Sequence, residues 1–454
     1  MEIKNENKDL PVEDREPTRE EVEKRLHEIH LQYEPSFATG IDGIKFDFCH
    51  GLRLMVPPTA KERHILEIWD DETGTLLGRH NLKPNDYLRH PVTYFTKFMI
   101  RLLDATGEKP QFQHTLDLRD KPVVISFPQR TVGDSIAWFE PVDKFADKHG
   151  CKTYIAMHPH IRSMFDGLHP EVTFITFEQM EMMRPYAHYL MGVNFDGAED
   201  LMPWDWRHQG LHHVGYRILG MDPVNAESQA PLIVYDRKKR EIEEPYVCIA
   251  SMASGGGKLW LNPTGWDEVC IFLKKCGYRV IDIDATPYMQ FGYMAYRIPR
   301  EAEDFTGHGE GHALSDRAAM ISHADFFIGL GSGLSWLAWA VGVPVVLISG
   351  FSLPFCEFHT PYRIINTNVC HGCFNDTSLH FNGKDPFWCP RQKEAKNKMA
   401  CSLSITSTQV INSILRMPEF QQHMQAAGLE VIKTPNGYDV HKISDSTENS
   451  NEVK

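Results

Sequence analysis

Short runs of apolar residues, each followed by an amphipathic segment, recur between residues 121 and 349. Residues 123–127 form the first run, and helical periodicity follows to about Lys148. Such runs are typical of strands buried on both faces, and their alternation with helices indicates a parallel, doubly wound sheet. We predict further strands over 153–157, 172–177, 189–195, 247–252, 278–283, 326–330 and 345–349, and helices over 264–275, 314–322 and 334–341.

A polar stretch over 236–244 divides these elements into two halves. It contains a basic run, Arg237 to Arg240, which fits either a solvated linker or a small binding patch. We interpret it as a linker, because domain boundaries fall in polar, exposed segments. The sequence therefore predicts two Rossmann-like domains, over 111–235 and 245–365.

The chain before the first half has a different pattern. Apolar and polar residues alternate over 45–49 and 52–56, and two apolar runs flank the turn residues 70–74. This is a hairpin signal. We predict a small antiparallel β module over 40–110, with a helix over 94–103 leading out of it.

Both ends of the chain are polar. We expect 1–39 to be a disordered extension with helical periodicity over 20–31. At the other end we expect a helix over 405–430 and a disordered tail over 431–454.

Composition narrows the classes of function. The chain has 454 residues, 42% of them apolar, and a formal net charge of −14. This charge disfavours nonspecific binding of nucleic acid. The first residues have no apolar segment of the kind found in signal peptides, and no uncharged apolar stretch is long enough to span a membrane. We therefore expect a cytoplasmic protein without disulfides.

The first candidate site is the loop after the strand at 123–127. Gly133 allows an unusual backbone turn, and Asp134 follows it at the start of a helix. Asp is a favoured N-cap residue, so a purely structural role is one interpretation. The other is that the carboxylate accepts a proton from an attacking hydroxyl.

The second and third candidate loops are rich in glycine. Residues 251–260 place three glycines beside Lys258 and Trp260, which suits a diphosphate but fits a flexible turn equally well. Residues 329–335 end a strand and open a helix, where backbone amides favour a negative charge. The predicted ligand contacts of the third loop are Gly331, Ser332, Gly333, Leu334 and Ser335.

Four of the ten cysteines form a cluster with spacing C-x2-C-x15-C-x11-C. Two cysteines two residues apart are typical of a metal-binding knuckle, and two more thiolates complete a tetrahedral site. Thiolate ligands suit zinc or iron, and the spacing does not choose between them. A closed site of this kind is structural. The predicted ligands are Cys370, Cys373, Cys389 and Cys401.

Together these motifs resemble the bacterial autotransporter heptosyltransferases and, more distantly, the lipopolysaccharide heptosyltransferases. The Gly133–Asp134 turn is similar to the catalytic loop of these enzymes, and Lys258 with Trp260 to their K-x-W element. The loop at 331–335 resembles their D-T-G-L-S element, with glycine and serine in its first two places. The cysteine spacing is the most specific part of the resemblance, which covers residues 40–425.

The resemblance implies a GT-B fold of two Rossmann-like domains, with the first binding the acceptor and the second the donor. It implies an inverting transfer of heptose from ADP-heptose to serine hydroxyls of an autotransporter adhesin, in the bacterial cytoplasm. Asp134 would be the base, and Lys258 with the amides near Gly333 would stabilise the departing diphosphate. No catalytic divalent metal is expected.

The resemblance also implies that the cysteine finger at 366–404 binds iron, with zinc as the alternative. It further implies a homo-oligomer, which in this family is a dodecameric ring. Two other functions stay open. One is transfer to a lipid, as in lipopolysaccharide heptosyltransferases. The other is a metal-stabilised scaffold without catalytic activity.

Overall fold

The structure is a computed structural model that describes residues 34–90, 96–165, 169, 171–193, 206–223, 240–291, 294–307, 313–383, 385–394, 398–435 and 437–443. These residues divide into two compact units. The first unit comprises residues up to 131, 138–193 and 214–223, and the second comprises 132–137, 206–213 and 240–443. The predicted helix at 20–31 and residues 236–239 of the predicted linker lie outside the described residues.

The first unit contains two sheets. Its strands are β1 Phe37–Ala38, β2 Lys45–Cys49, β3 Arg53–Met55, β4 His64–Asp70, β5 Thr75–Leu82, β6 Tyr87–Arg89, β7 Phe98–Leu103, β8 Pro110–Thr115, β9 Pro122–Phe127, β10 Lys152–Met157, β11 Val172–Ile175 and β12 Ala187–Leu190. One sheet has the order β11-β10-β9-β12-β2-β3-β6, with β1 beside β2. Strands β9 to β12 are parallel, as the sequence predicts, and their order in the sheet is the 3-2-1-4 order of a nucleotide-binding half.

The region predicted as one β module, 40–110, contributes to both sheets. Strand β2 pairs in parallel with β12, so it continues the Rossmann-like sheet. Only β4, β5, β7 and β8 form a separate, antiparallel sheet, in the order β5-β4-β7-β8. The alternation in β2 is misleading because its central Asp47 is buried, with both carboxylate oxygens bonded to Arg53, at 2.8 and 2.5 Å.

The predicted helix at 94–103 is wrong over its described part. Residues Phe98–Leu103 are strand β7, paired on one side with β4 and on the other with β8. Five of its six residues are buried. A segment buried on both faces has no polar alternation, so its pattern does not separate a strand from a buried helix.

The helices in the described ranges lie mostly where the pattern predicts them. Those of the chain up to residue 223 are α1 Val132–His149, α2 Pro159–Arg162, α3 Phe177–Met182 and α4 Leu211–Ile218. Those that follow are α5 Gly265–Lys275, α6 Leu314–Ser322, α7 Gly333–Ala340, α8 Ala400–Leu403, α9 Ser407–Ile414 and α10 Pro418–Ala427. None of them is long and apolar enough to cross a membrane.

The second unit is built around a six-stranded parallel sheet. The strands of the second unit, in this sheet and in two hairpins, are β13 Tyr246–Ile249, β14 Arg279–Asp282, β15 Tyr288–Phe291, β16 Met294–Arg297, β17 Glu303–Asp304, β18 Phe327–Leu330, β19 Val345–Ile348, β20 Arg363–Ile364, β21 Leu429–Thr434 and β22 Gly437–Lys442. The sheet order is β17-β14-β13-β18-β19-β20, while β15–β16 and β21–β22 are hairpins. The core packs sheet residues such as Val247 and Ile328 against α5 and α9. Burying one such side chain contributes about 1.5–3 kcal/mol.

The C-terminal segment differs from the prediction. The predicted single helix over 405–430 is two helices, α9 and α10, because Pro418 cannot continue α9 and instead opens α10. Part of the predicted disordered tail is hairpin β21–β22. This hairpin is held by Tyr438, whose ring lies 6.1 Å from that of Phe272 and whose hydroxyl donates to Asn412.

Candidate functional site

Asp134 lies in the first turn of α1, where a negative charge is favoured by the helix dipole. The N-cap of this helix is Thr131, three residues earlier, and it has extended backbone geometry. The structure therefore gives the N-cap position to Thr131 rather than to Asp134. Asp134 is half-buried, and its turn, residues 132–137, groups with the second unit.

The turn that carries Asp134 packs against the start of α7. A Cβ atom added to Gly333 would lie 2.8 Å from Cβ of Val132 and 3.2 Å from the amide nitrogen of Gly133. A Cβ on Gly133 would lie 2.9 Å from Cδ1 of Trp336. Both positions need glycine for this approach. The structure thus brings the predicted base and the third candidate loop together.

The third loop is shaped by buried polar groups. A Cβ on Gly331 would collide with the carboxylate of Glu357. That carboxylate accepts from Ser352 Oγ at 2.5 Å and from Arg363 at 2.6 Å. Ser335 is 1% exposed, and its hydroxyl donates to the Leu330 carbonyl at 2.6 Å. We infer that Ser335 holds the loop from the inside of the fold.

Lys258 and Trp260 have different surroundings. Lys258 ends a short 3-10 turn, Gly256–Lys258, and is half-buried. Trp260 is 5% exposed, and its indole nitrogen donates to the Ile405 carbonyl at 2.9 Å. The ring also closes over Gly265. The prediction that Trp260 contacts a ligand therefore changes to a role in supporting the loop from the core.

A buried acidic pair lies under the second loop. Asp284 accepts from the amides of Ser251 and Met252 at 2.7 and 2.9 Å, and the Ser251 hydroxyl donates to Asp282 at 2.8 Å. Burial raises the pKa of Asp282 to about 6, and burial with the nearby Asp282 carboxyl raises that of Asp284 well above its usual range. The sequence signal for this buried pair is the motif D-I-D at the end of an apolar run, and the sequence-based predictions did not include it.

The four clustered cysteines are neighbours in the structure. Cys373 opens a 3-10 turn, Cys373–Asn375, and Cys401 lies in α8. Burial and the thiols of Cys373, Cys370 and Cys389 raise the pKa of Cys401 to about 12. The four thiols are half-buried and their chemistry suits zinc or iron, but among the described residues their sulfur atoms are not all within 4.8 Å of one another.

A second group with metal-ligand chemistry lies in the first unit. Among the described residues, one group of three or more His, Cys, Asp or Glu has all its ligand atoms within 4.8 Å of one another: Asp143, His169 and Glu171. Nδ1 of His169 lies 2.8 Å from Asp143 Oδ2 and 3.4 Å from Glu171 Oε1. Hydrogen bonding between imidazole and carboxylate accounts for this geometry.

Comparison with known proteins places these features in a family. Residues 219–371 match the sequence profile of glycosyltransferase family 9, the heptosyltransferases. The chain is 40% identical to the autotransporter heptosyltransferase BAHTCr of Citrobacter rodentium over 378 residues, which are 83% of this chain and 90% of that protein. It is 31% identical over 393 residues to the inactive autotransporter heptosyltransferase BimC of Burkholderia thailandensis, covering 84% and 87% of the two chains.

A solved structure resembles the whole described fold. The dodecameric, iron-containing heptosyltransferase TibC of Escherichia coli, in complex with ADP-D-beta-D-heptose, superposes with a TM-score of 0.77 at 37% identity. The match covers 86% of this chain and all of that one. One of these similar proteins is named inactive, so the residues of the site, rather than the similarity, decide whether this chain is catalytically competent.

Proposed function

The chain belongs to the autotransporter heptosyltransferase family, and we propose that it transfers heptose from ADP-heptose to serine hydroxyls of an autotransporter adhesin. The observation that carries this proposal is the close packing of the Asp134 turn against the loop at the start of α7. It places a candidate base beside a candidate anion site, which is the arrangement that a direct displacement needs.

The proposed reaction is a single inverting displacement. Asp134 takes the proton from the serine hydroxyl while the serine oxygen forms a bond to the anomeric carbon of the heptose. The bond between that carbon and the diphosphate oxygen breaks on the opposite face, and ADP leaves. A positioned base of this kind contributes about 10²- to 10⁴-fold to the rate.

The departing diphosphate needs stabilisation as its negative charge develops. We assign this role to Lys258 and to the backbone amides of Gly333 and Leu334, at the start of α7. Fixed amide dipoles and a cation stabilise such charge without reorganising during the reaction. The mechanism therefore uses no catalytic divalent metal.

The cysteine finger has a separate role in the proposal. Cys370, Cys373, Cys389 and Cys401 would hold one iron ion, with zinc as the alternative, and the ion would fix the fold of residues 366–404. Four thiolates leave no open coordination position, so the ion is structural. The support is the mutual proximity of the four thiols and the iron content of TibC.

The setting follows from the same relatives. We propose that the protein acts in the bacterial cytoplasm, where thiolate ligands stay reduced, and that it forms a homo-oligomer, a dodecameric ring like that of TibC. Transfer to a lipopolysaccharide acceptor and a scaffold without activity are the rival functions, and the name of BimC gives the second rival a precedent.

One incubation separates these possibilities. Purified protein is mixed with ADP-heptose and either an autotransporter adhesin or a lipopolysaccharide acceptor, and both products are measured by mass spectrometry. The proposal expects heptose on adhesin serines and none on lipid. Labelled lipid with unlabelled adhesin would support the first rival, and neither product, with no ADP release, would support the second.

A further inference from the structure

The cysteine finger contacts the Lys258 loop through one buried hydroxyl group. Ser402 follows Cys401 directly in α8 and is 4% exposed. Its Oγ donates to the Leu259 carbonyl and accepts from the Leu261 amide, the latter at 2.7 Å. The hydroxyl of Ser402 therefore uses its proton and one of its acceptor sites on the segment that follows Lys258.

The glycines of the same loop rest on aromatic rings. A Cβ on Gly256 would collide with the ring of Phe387, and a Cβ on Gly257 would lie 3.1 Å from the ring of Phe351. Phe387 lies two residues before Cys389. The Phe351 ring in turn lies 5.2 Å from that of Phe374, the residue after Cys373. The Lys258 loop therefore packs on one side chain of the finger, Phe387, and on Phe351, which itself packs on the finger.

The other knuckle of the finger holds the loop after β19. The amides of Gly372 and Phe374 donate to the carbonyls of Gly350 and Phe351 at 2.9 and 3.1 Å. Asn375 accepts from the Leu353 amide at 2.8 Å. A Cβ on Gly350 would lie 2.6 Å from the Cys401 carbonyl, so both cysteine-bearing segments converge at this glycine.

From these contacts we propose that the finger positions the diphosphate-binding loop, with Ser402 as the positioning residue. The inference rests on the proposed function, because it assumes that Lys258 binds the diphosphate. An ion held by Cys373 and Cys401 would fix the two segments that contact the loop. Groups around a metal that are held in this way orient what they touch, and an anion site built from backbone amides depends on such orientation.

The test measures binding of ADP, which needs no acceptor protein. ADP is titrated calorimetrically into the wild-type protein, Ser402→Ala and Ser404→Ala. Ser404 is a matched control because it lies in the same finger and its hydroxyl accepts from the Asn366 side chain at 2.9 Å rather than from the Lys258 loop. We expect Kd for ADP to rise about tenfold in Ser402→Ala and less than about twofold in the control, since two hydrogen bonds are lost.

Two further measurements separate positioning from unfolding. Metal content stays at the wild-type level in Ser402→Ala, and KM for ADP-heptose rises while KM for the adhesin does not. Ser402→Thr keeps the hydroxyl and restores ADP binding. If Ser402→Ala does not fold, Asn375→Ala serves as the second variant, with the same rise in Kd expected from loss of the bond to Leu353.

Some results would overturn the inference. Wild-type affinity for ADP in both Ser402→Ala and Asn375→Ala, with full metal content, would show that the finger does not position the loop. An equal loss in Ser404→Ala would show a general effect of disturbing the finger. Failure of the wild-type protein to bind ADP would instead remove the donor assignment itself, and the inference with it.

Discussion

Gly133 and Gly333 pack against each other so closely that a Cβ on Gly333 would lie 3.2 Å from the amide nitrogen of Gly133. Gly133 precedes the candidate base, and Gly333 opens the helix whose amides form the candidate anion site. The distance between these two chemical groups is therefore set by backbone contact, without long side chains between them. Four predictions and one decisive measurement follow from the geometry of this chain.

Gly333→Ala should slow transfer strongly. The added Cβ would lie 2.8 Å from Cβ of Val132 and close to backbone, so one of the two segments must shift. A displacement of about 1 Å at a reacting centre can cost about 10²-fold in rate. We expect kcat/KM for ADP-heptose to fall by at least tenfold. Gly192→Ala is the control, because its Cβ would meet no atom within 4 Å, and it should retain wild-type kinetics.

Cys370→Ser and Cys389→Ser should each remove the bound metal and lower stability. Elemental analysis and thermal unfolding give the two readouts, and Cys151→Ser, half-buried in the first unit, should keep the full metal content. If the ion is iron, the wild-type protein is coloured and both variants are colourless. Stoichiometric metal in both variants would contradict the ligand assignment.

Asp47→Ala should destabilise the protein by about 3–5 kcal/mol, because it leaves Arg53 charged and buried without its carboxylate. The double variant Asp47→Leu with Arg53→Met removes both charges and should recover most of that loss. Urea unfolding of the three proteins measures the effect. A double variant as unstable as Asp47→Ala would show that the pair itself contributes the stability.

His212 should make the protein less stable in acid. It is 1% exposed, and burial together with His213 lowers its pKa from 6.5 to about 3. Between these values the unfolded chain binds a proton that the folded chain does not, so His212 lowers stability by about 1.4 kcal/mol per pH unit as pH falls below 6.5. The raised pKa of Asp282, about 6, acts in the opposite sense, because the folded chain then protonates first.

The contribution of His212 is isolated by comparing variants rather than by the wild-type curve alone. His212→Leu replaces the ring by an apolar side chain and leaves Asp282 unchanged. Its free energy of unfolding should rise relative to wild type as pH falls from 6.5 to 4. Parallel curves over that range would mean that His212 takes up its proton without loss of the fold.

The parallel sheets were predictable because their strands are uninterrupted apolar runs between turn signals. The position of β2 in the Rossmann-like sheet was not predictable. Asp47 is buried because it pairs with Arg53, and a hydrophobicity pattern in which charged residues are taken as exposed does not show such a pair. Hairpin β21–β22 is a different case, because its strands carry apolar residues such as Val431 and Val440, which pack against the core of the second unit. The prediction of a disordered tail from residue 431 overlooked this pattern.

The candidate site shows a similar division. Glycines marked loops that approach each other closely in the structure, since close backbone approach demands that residue type, while metal ligation by the four cysteines stays a prediction. The sequence did not predict that the side chains of Trp260 and Ser335 point into the fold. A hydrogen-bond donor that contacts a ligand and one that holds the loop in place look the same in a sequence. The connection of Ser402 to the Lys258 loop spans about 140 residues of sequence and exists only in the fold.

The most direct test of the account is heptosyl transfer by Asp134→Asn, measured by mass spectrometry of an adhesin incubated with ADP-heptose, alongside calorimetric binding of ADP to the same sample. Asp147→Asn, an exposed change on the same helix, is the matched control. We predict a loss of at least about 10²-fold in transfer by Asp134→Asn, with ADP binding retained and the control unaffected. Transfer at the wild-type rate by Asp134→Asn would contradict the assignment of this carboxylate as the base.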